Sequence, residues 1–222
     1  MLGPAAPIGS SRLASVRASL RLQPGSPICT TWEWDDGQVE RAQLEWQALV
    51  HAHRAHRYVA PGVYRVQLRV DVSRPRHRES AARYVVVVGS DQWAASGWIR
   101  VPDGAPVPFG FLVTPTAAGR AGQVLLRCQL EGAELVSGDL AWLLAGDAST
   151  LHFGGNASIA GQAIHPFRLD ATAAGRERAG QQHVALSIYA PGGVPGRDAP
   201  VRRLSGPVRP GRIVLRGMVA LP

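Results

Sequence analysis

Residues 61 to 70, "PGVYRVQLRV", leave the backbone little choice: a Pro-Gly turn opens into a run of strict alternation. Tyr64, Val66, Leu68 and Val70 fall on one side and Arg65, Gln67 and Arg69 on the other. This is the period-2 pattern of a strand with one face in a core and the other in water. The rest of the chain repeats the theme, with short apolar runs separated by 25 Gly and 17 Pro, so strands and turns are favoured over helices.

Further along, "ICTTWEWDDGQVE" couples a β-branched and aromatic run to a sharp Asp-Gly turn, a strong hairpin signal. Residues 39 to 57 fit an amphipathic helix through Leu44, Ala48 and His51, but a strand and loop leading into the next hairpin suits the neighbouring segments better. "ARYVVVV" is a nearly continuous β run. Over residues 89 to 97, "GSDQWAASG", the strand signal lapses and Gly and Ser cluster, which reads as a linker. Beyond it, apolar runs recur with turn signals every ten or so residues, the spacing of an antiparallel sandwich.

The formal charge is +8, and all 24 basic residues are Arg. A GC-rich coding bias accounts for that uniformity, yet a basic chain still favours contact with nucleic acid, acidic polysaccharide or anionic surfaces. No stretch approaches the ~18 apolar residues of a membrane span. The N-terminus lacks the basic start and apolar core of a secretory signal, so either the chain stays in the cytoplasm or a leader is missing. Cys29 and Cys128 are the only cysteines; two unrelated buried thiols are preferred to a disulfide bridging the two halves.

"TWEWDDG", "HRYVAPGVYRVQLRV" and "YVVVV" together resemble a PKD domain, the Ig-like module of bacterial and archaeal surface proteins and exoenzymes. The family's Trp-rich strand, Asp-Gly turn, His-x-Tyr and Tyr-x-Val-x-Leu are filled by Trp32, Trp34, Asp36, Gly37, His56, Tyr58, Pro61, Gly62, Tyr64, Val66 and Leu68. One departure is Asp35, where the family has Gly; Asp tolerates the left-handed backbone better than most residues, so the turn is expected to survive. The stretches "SGWIRVPDGAPVPFGF", "LAWLLAG", "ASIAGQAIHPFRLDA" and "LSIYAPGG" resemble the β-rich domain that often follows a PKD module. Its points of contact include Trp98, Phe109, Phe111, Trp142, Phe167 and Tyr189, and the two resemblances together place Trp32, Trp34, Trp98 and Trp142 in cores.

His51, His53 and His56 are metal-ligand types, but in a strand His56 points away from the other two, and the PKD-like motif claims it as structural. Asp35 and Asp36, with Glu33 or Asp71, offer the hard oxygens that calcium takes, although a turn with two Asp residues is first of all a turn. No Gly-x-Ser-x-Gly elbow or His-Glu-x-x-His helix is present, so no enzyme is expected. "NAS" at Asn156 is a glycosylation pattern with meaning only in a eukaryotic secretory setting.

The most suggestive feature is a basic strip. Arg54, Arg57, Arg65, Arg69, Arg74, Arg76 and Arg78 fall between residues 51 and 78, and planar guanidinium groups suit phosphate, sulfate or carboxylate. Arg65, Gln67, Arg69, Arg74, Arg76 and Arg78 are the candidate ligand-contact face; a solvated sheet face with an Arg-rich loop is the plainer account.

The expected protein is therefore all-β, with two Ig-like antiparallel β-sandwich domains in tandem: a loose leader at 1–10, a PKD-like domain at 11–90 and a second β domain at 91–222. The expected role is a non-catalytic module for adhesion, spacing or recognition, secreted or at the cell surface, with a polysaccharide or protein partner and no cofactor, calcium being the one alternative. A polyanion-binding protein, or an accessory domain of a larger exoenzyme, is the rival.

Overall fold

The computed structural model describes residues 8–9, 13–21, 28–44, 49–72, 77–89, 92–99, 104–114, 123–130, 132–145, 149–173, 182–208 and 212–215. The alternation and breakers act as expected: the chain is all-β, and no helix occurs among the described residues. None, accordingly, is long and apolar enough to cross a membrane.

The N-terminal unit contains β1 (Ile8–Gly9), β2 (Leu13–Arg21), β3 (Ile28–Glu33), β4 (Val39–Leu44), β5 (Leu49–Arg57), β6 (Gly62–Val72) and β7 (His77–Val88). Five of them form a sheet in the order β1-β7-β6-β3-β4, while β2 and β5 pair separately. All pairings are antiparallel except β1 with β7. The segment that fitted a helix is thus β4 and β5, two strands in different sheets. Along β6, Val66, Leu68 and Val70 are buried and pack with Ile28, Trp32, Trp34, Tyr58, Val85 and Val87. Each contributes about 1.5–3 kcal/mol when fully withdrawn from water.

The second unit contains β8 (Trp93–Ile99), β9 (Val107–Thr114), β10 (Gln123–Leu130), β11 (Ala133–Ala145), β12 (Thr150–Ile159), β13 (Ile164–Thr172), β14 (His183–Ile188), β15 (Arg202–Pro207) and β16 (Arg212–Leu215). The stretch read as a linker already holds most of β8. From β8 to β15 each strand pairs with the next, an antiparallel meander. Its two edges are then joined by one piece of chain. β15 lies on β14, Val208 bridges Ile99, and β16 continues along β8 from Ser96 to Trp93.

The two ends of the sheet are thus brought together at the Val208–Ile99 bridge, so that it curls into a barrel whose strand order still ends in β15 and β16. One face of every strand from β8 to β15 enters a common core, including Ile99, Phe111, Leu126, Leu140, Phe153, Leu169, Leu186 and Leu204. Opposite arcs of the sheet face each other across that core. The expected all-β, layered architecture is met, in this unit by one sheet curled over its own core.

Candidate functional site

The Asp-Gly turn between β3 and β4 is built on an aromatic column. Trp32 stacks on Trp34 at 5.7 Å, and Trp34 on His56 at 4.6 Å with the planes 10° apart. Tyr58 meets His56 edge-on at 4.7 Å and stacks on Tyr64 at 4.1 Å. Asp35 adopts φ +65° and Gly37 φ +89°, so both hold left-handed positions in the turn. His56 is buried, its Nε2 2.7 Å from Asp36 Oδ2, and the Tyr58 hydroxyl donates to Trp34 O at 3.1 Å. Burial, with Asp36 and Asp35 nearby, pushes that hydroxyl far above the ordinary tyrosine range.

Above the turn the two units meet in a seam. Its apolar part is Val63, Tyr84 and Val86 from the first unit against Ala94 and Leu112 of the barrel. Gly110 makes the close approach possible: a Cβ there would sit 2.9 Å from both Tyr84 Cβ and Val63 Cγ1. Its polar part centres on Arg127 of β10. Arg127 Nε and Nη2 donate to the two Glu134 oxygens at 2.9 and 3.2 Å, while Nη1 pairs with the Asp35 carboxylate.

The Tyr84 hydroxyl donates to Glu134 Oε1 at 2.7 Å, and the Arg127 guanidinium lies 5.7 Å from the Tyr84 ring centroid. Burial raises the Glu134 carboxyl, but the hydrogen bonds from Arg127 and Tyr84 outweigh it and leave the group below its usual range. Asp35 Oδ2 also accepts the Arg65 N–H at 2.8 Å. The turn that opens β4 is thereby tied to β6 and to the barrel at once.

The sequence-predicted contact face is divided by this seam. Arg65 is half-buried, with Nη1 donating to Gln67 Oε1 at 3.2 Å. Arg69 is exposed and paired with Glu33 at 3.2 Å, and Arg78 with Asp71 at 2.6 Å. Arg74 and Arg76 lie outside the described residues.

Each carboxylate considered for calcium has a protein partner: Asp35 has Arg127, Asp36 has His56 and the Gln38 N–H, Glu33 has Arg69, and Asp71 has Arg78. Among the described residues no group of three His, Cys, Asp or Glu side chains could hold a metal ion. His51 and His53 pair across the β2–β5 ladder with Ser19 and Arg17. Cys29 and Cys128 are free thiols, half-buried and buried.

Trp32 and Trp34 are fully buried, but Trp98 and Trp142 are not core residues as the resemblance implied; both are half-buried. Neither Arg127 nor Glu134 stands out in the sequence reading, and Tyr84 enters it only as the first residue of "YVVVV". The available signal was Arg127 itself, a charge midway along the apolar run "VLLRCQL". Comparison with protein-family models, with curated proteins and with solved structures finds no match for the chain.

Proposed function

We propose that this chain is a rigid, non-catalytic module of the cell exterior, a spacer that also presents a recognition surface, with a PKD-like Ig domain as its first unit. The observation that carries the reading is the seam. Units within a chain move relative to one another unless their interface is substantial and apolar. Here an apolar cluster is flanked by Arg127, which joins Asp35 of one unit to Glu134 of the other.

The PKD-like reading is supported by the strand order β1-β7-β6-β3-β4 beside a separate β2–β5 pair. It is also supported by Tyr64, whose hydroxyl donates to Ala60 O at 2.9 Å, four residues back across the β5–β6 corner. That is the geometry of the tyrosine corner in Ig-type sandwiches. Both interiors are filled by side chains, so outer strand faces and loops are the working surface. The pairing of Arg69 with Glu33 and of Arg78 with Asp71 compensates part of the basic strip, which favours a module over a general polyanion binder.

Two measurements test this. Surface proteolysis and fractionation of the native cells should find the protein outside the cytoplasm; a wholly cytosolic protein overturns the reading. Binding to insoluble polysaccharides, a heparin-like polyanion and DNA at low and high salt, with an Arg65→Ala/Arg69→Ala variant alongside, separates the rivals. Steeply salt-dependent binding to every polyanion, lost in the variant, would favour the polyanion class instead.

A further inference from the structure

On the outer face of the barrel, opposite in orientation to the core residues, one register row runs Trp142, Gly154, Arg168, Ser187, Arg203. The next runs Leu144, His152, Asp170, Ala185, Ser205. The alternating positions, Leu143, Phe153, Leu169, Leu186 and Leu204, are the ones that enter or pack against the core. The outward direction of both rows is therefore fixed.

Gly154 lets the Trp142 indole lie down on the sheet: a Cβ at 154 would fall 2.6 Å from both Cε2 and Nε1. The indole remains half-buried, partly open to solvent. Beside it, Asp170 holds two side chains in place. Its carboxylate accepts from Arg168 Nε at 3.0 and 3.1 Å and lies 2.6 Å from His152 Nδ1. The Arg168 Nη groups, His152 Nε2 and the exposed Arg203 guanidinium take no partner among the described residues. Small Gly154, Ser187 and Ala185 keep the floor between them low.

An indole platform bordered by the Arg168 Nη groups, whose Nε is held by Asp170, and by the Arg203 guanidinium matches one ligand chemistry closely. The C–H face of a pyranose packs on the negative face of an aromatic ring, and a carboxylate on that sugar suits a guanidinium in bidentate fashion. Neighbouring strands lie about 4.8 Å apart, so Arg168 is one strand beyond the Gly154 floor and Arg203 about 10 Å further. The first spacing is comparable with the reach of one ring substituent, and the second is of the order of two sugar residues, about 5 Å each, along a chain.

We propose that this strip binds an acidic polysaccharide, with one uronate ring on Trp142, its carboxylate on Arg168 and a following carboxylate on Arg203. The proposal deepens the module reading and names its recognition surface, which shares no residue with the Arg65–Arg69 face.

The test is titration of the full chain with polygalacturonate, its fully methyl-esterified form and DNA, for the natural protein and for Trp142→Ala, Arg168→Gln and Arg203→Gln. Polygalacturonate should bind, and Trp142→Ala and Arg168→Gln should each weaken it about tenfold or more, as for central Trp and Arg anchors. Esterification should have a similar effect, and the Arg65→Ala/Arg69→Ala control should have none. Arg203→Gln, at an exposed position, serves if the other variants unfold; a loss of at least about threefold is expected.

Failure to bind polygalacturonate, equal binding of the ester, undiminished binding by the folded variants, or tighter DNA binding through the same residues would each overturn the proposal. Polysaccharide binding that survives every one of these substitutions would remove this site while leaving the module reading intact.

Discussion

His56 Nε2 lies 2.7 Å from Asp36 Oδ2, across a sequence separation of 20 residues, while the same imidazole stacks on Trp34. The contact ties β5 of the two-stranded sheet to the turn between β3 and β4, and so joins the layers of the first unit. Asp36→Ala leaves a buried imidazole without its partner, and a loss of about 1–3 kcal/mol is expected from denaturant unfolding. His56→Phe, which keeps the ring stack, should cost less than His56→Ala. Equal costs would mean that the stack contributes nothing.

Arg83 is 3% exposed on the inner side of β7, and its Nε and Nη2 have no partner among the described residues. Burial lowers its pKa to about 10, the sign of an uncompensated interior cation. Replacing such a group by an apolar one of similar shape is neutral or stabilising by about 1–4 kcal/mol. Arg83→Met should therefore raise the urea midpoint or leave it unchanged; a clear fall would show that the charge is satisfied.

The depressed Glu134 carboxyl gives the seam a defined acid response. A carboxylate whose folded pKa is below its unfolded value contributes stability that is complete above the unfolded value, about 4.3, and is lost as pH falls through the folded one. The natural chain should lose melting temperature across that window more steeply than Glu134→Gln. Parallel curves would remove Glu134 from the pairing.

Cys128 points into the barrel core, and burial pushes its thiol up to about 12. With Cys29→Ser as background, a thiol reagent at neutral pH should label Cys128 only as fast as the barrel opens. Labelling at the rate of a free peptide thiol would contradict the filled interior.

Much of the first unit was legible because its signals are local. Alternation placed Val66, Leu68 and Val70 inward, and the Asp-Gly pair placed the β3–β4 turn. The opposite face was only half legible: Val63 lies under the barrel and Arg65 beside it, because Arg127, 64 residues beyond Val63, reaches back to the Val63 carbonyl. Barrel closure was not legible at all. It depends on Val208 finding Ile99, and the turn spacing that precedes it is shared by sandwiches and meander barrels. Trp142 went astray for a related reason: the bulge between Leu140 and Trp142 resets the alternation of β11 and turns the indole outward.

The rigid module proposed above requires the two β units to unfold as one body joined at the Arg127 seam, which calorimetry of the full chain can check. A single transition is predicted, with calorimetric and van't Hoff enthalpies equal, that splits in Gly110→Leu, where the added side chain would press on Tyr84 and Val63. Two independent transitions in the natural chain, unmoved by Gly110→Leu, would contradict the account.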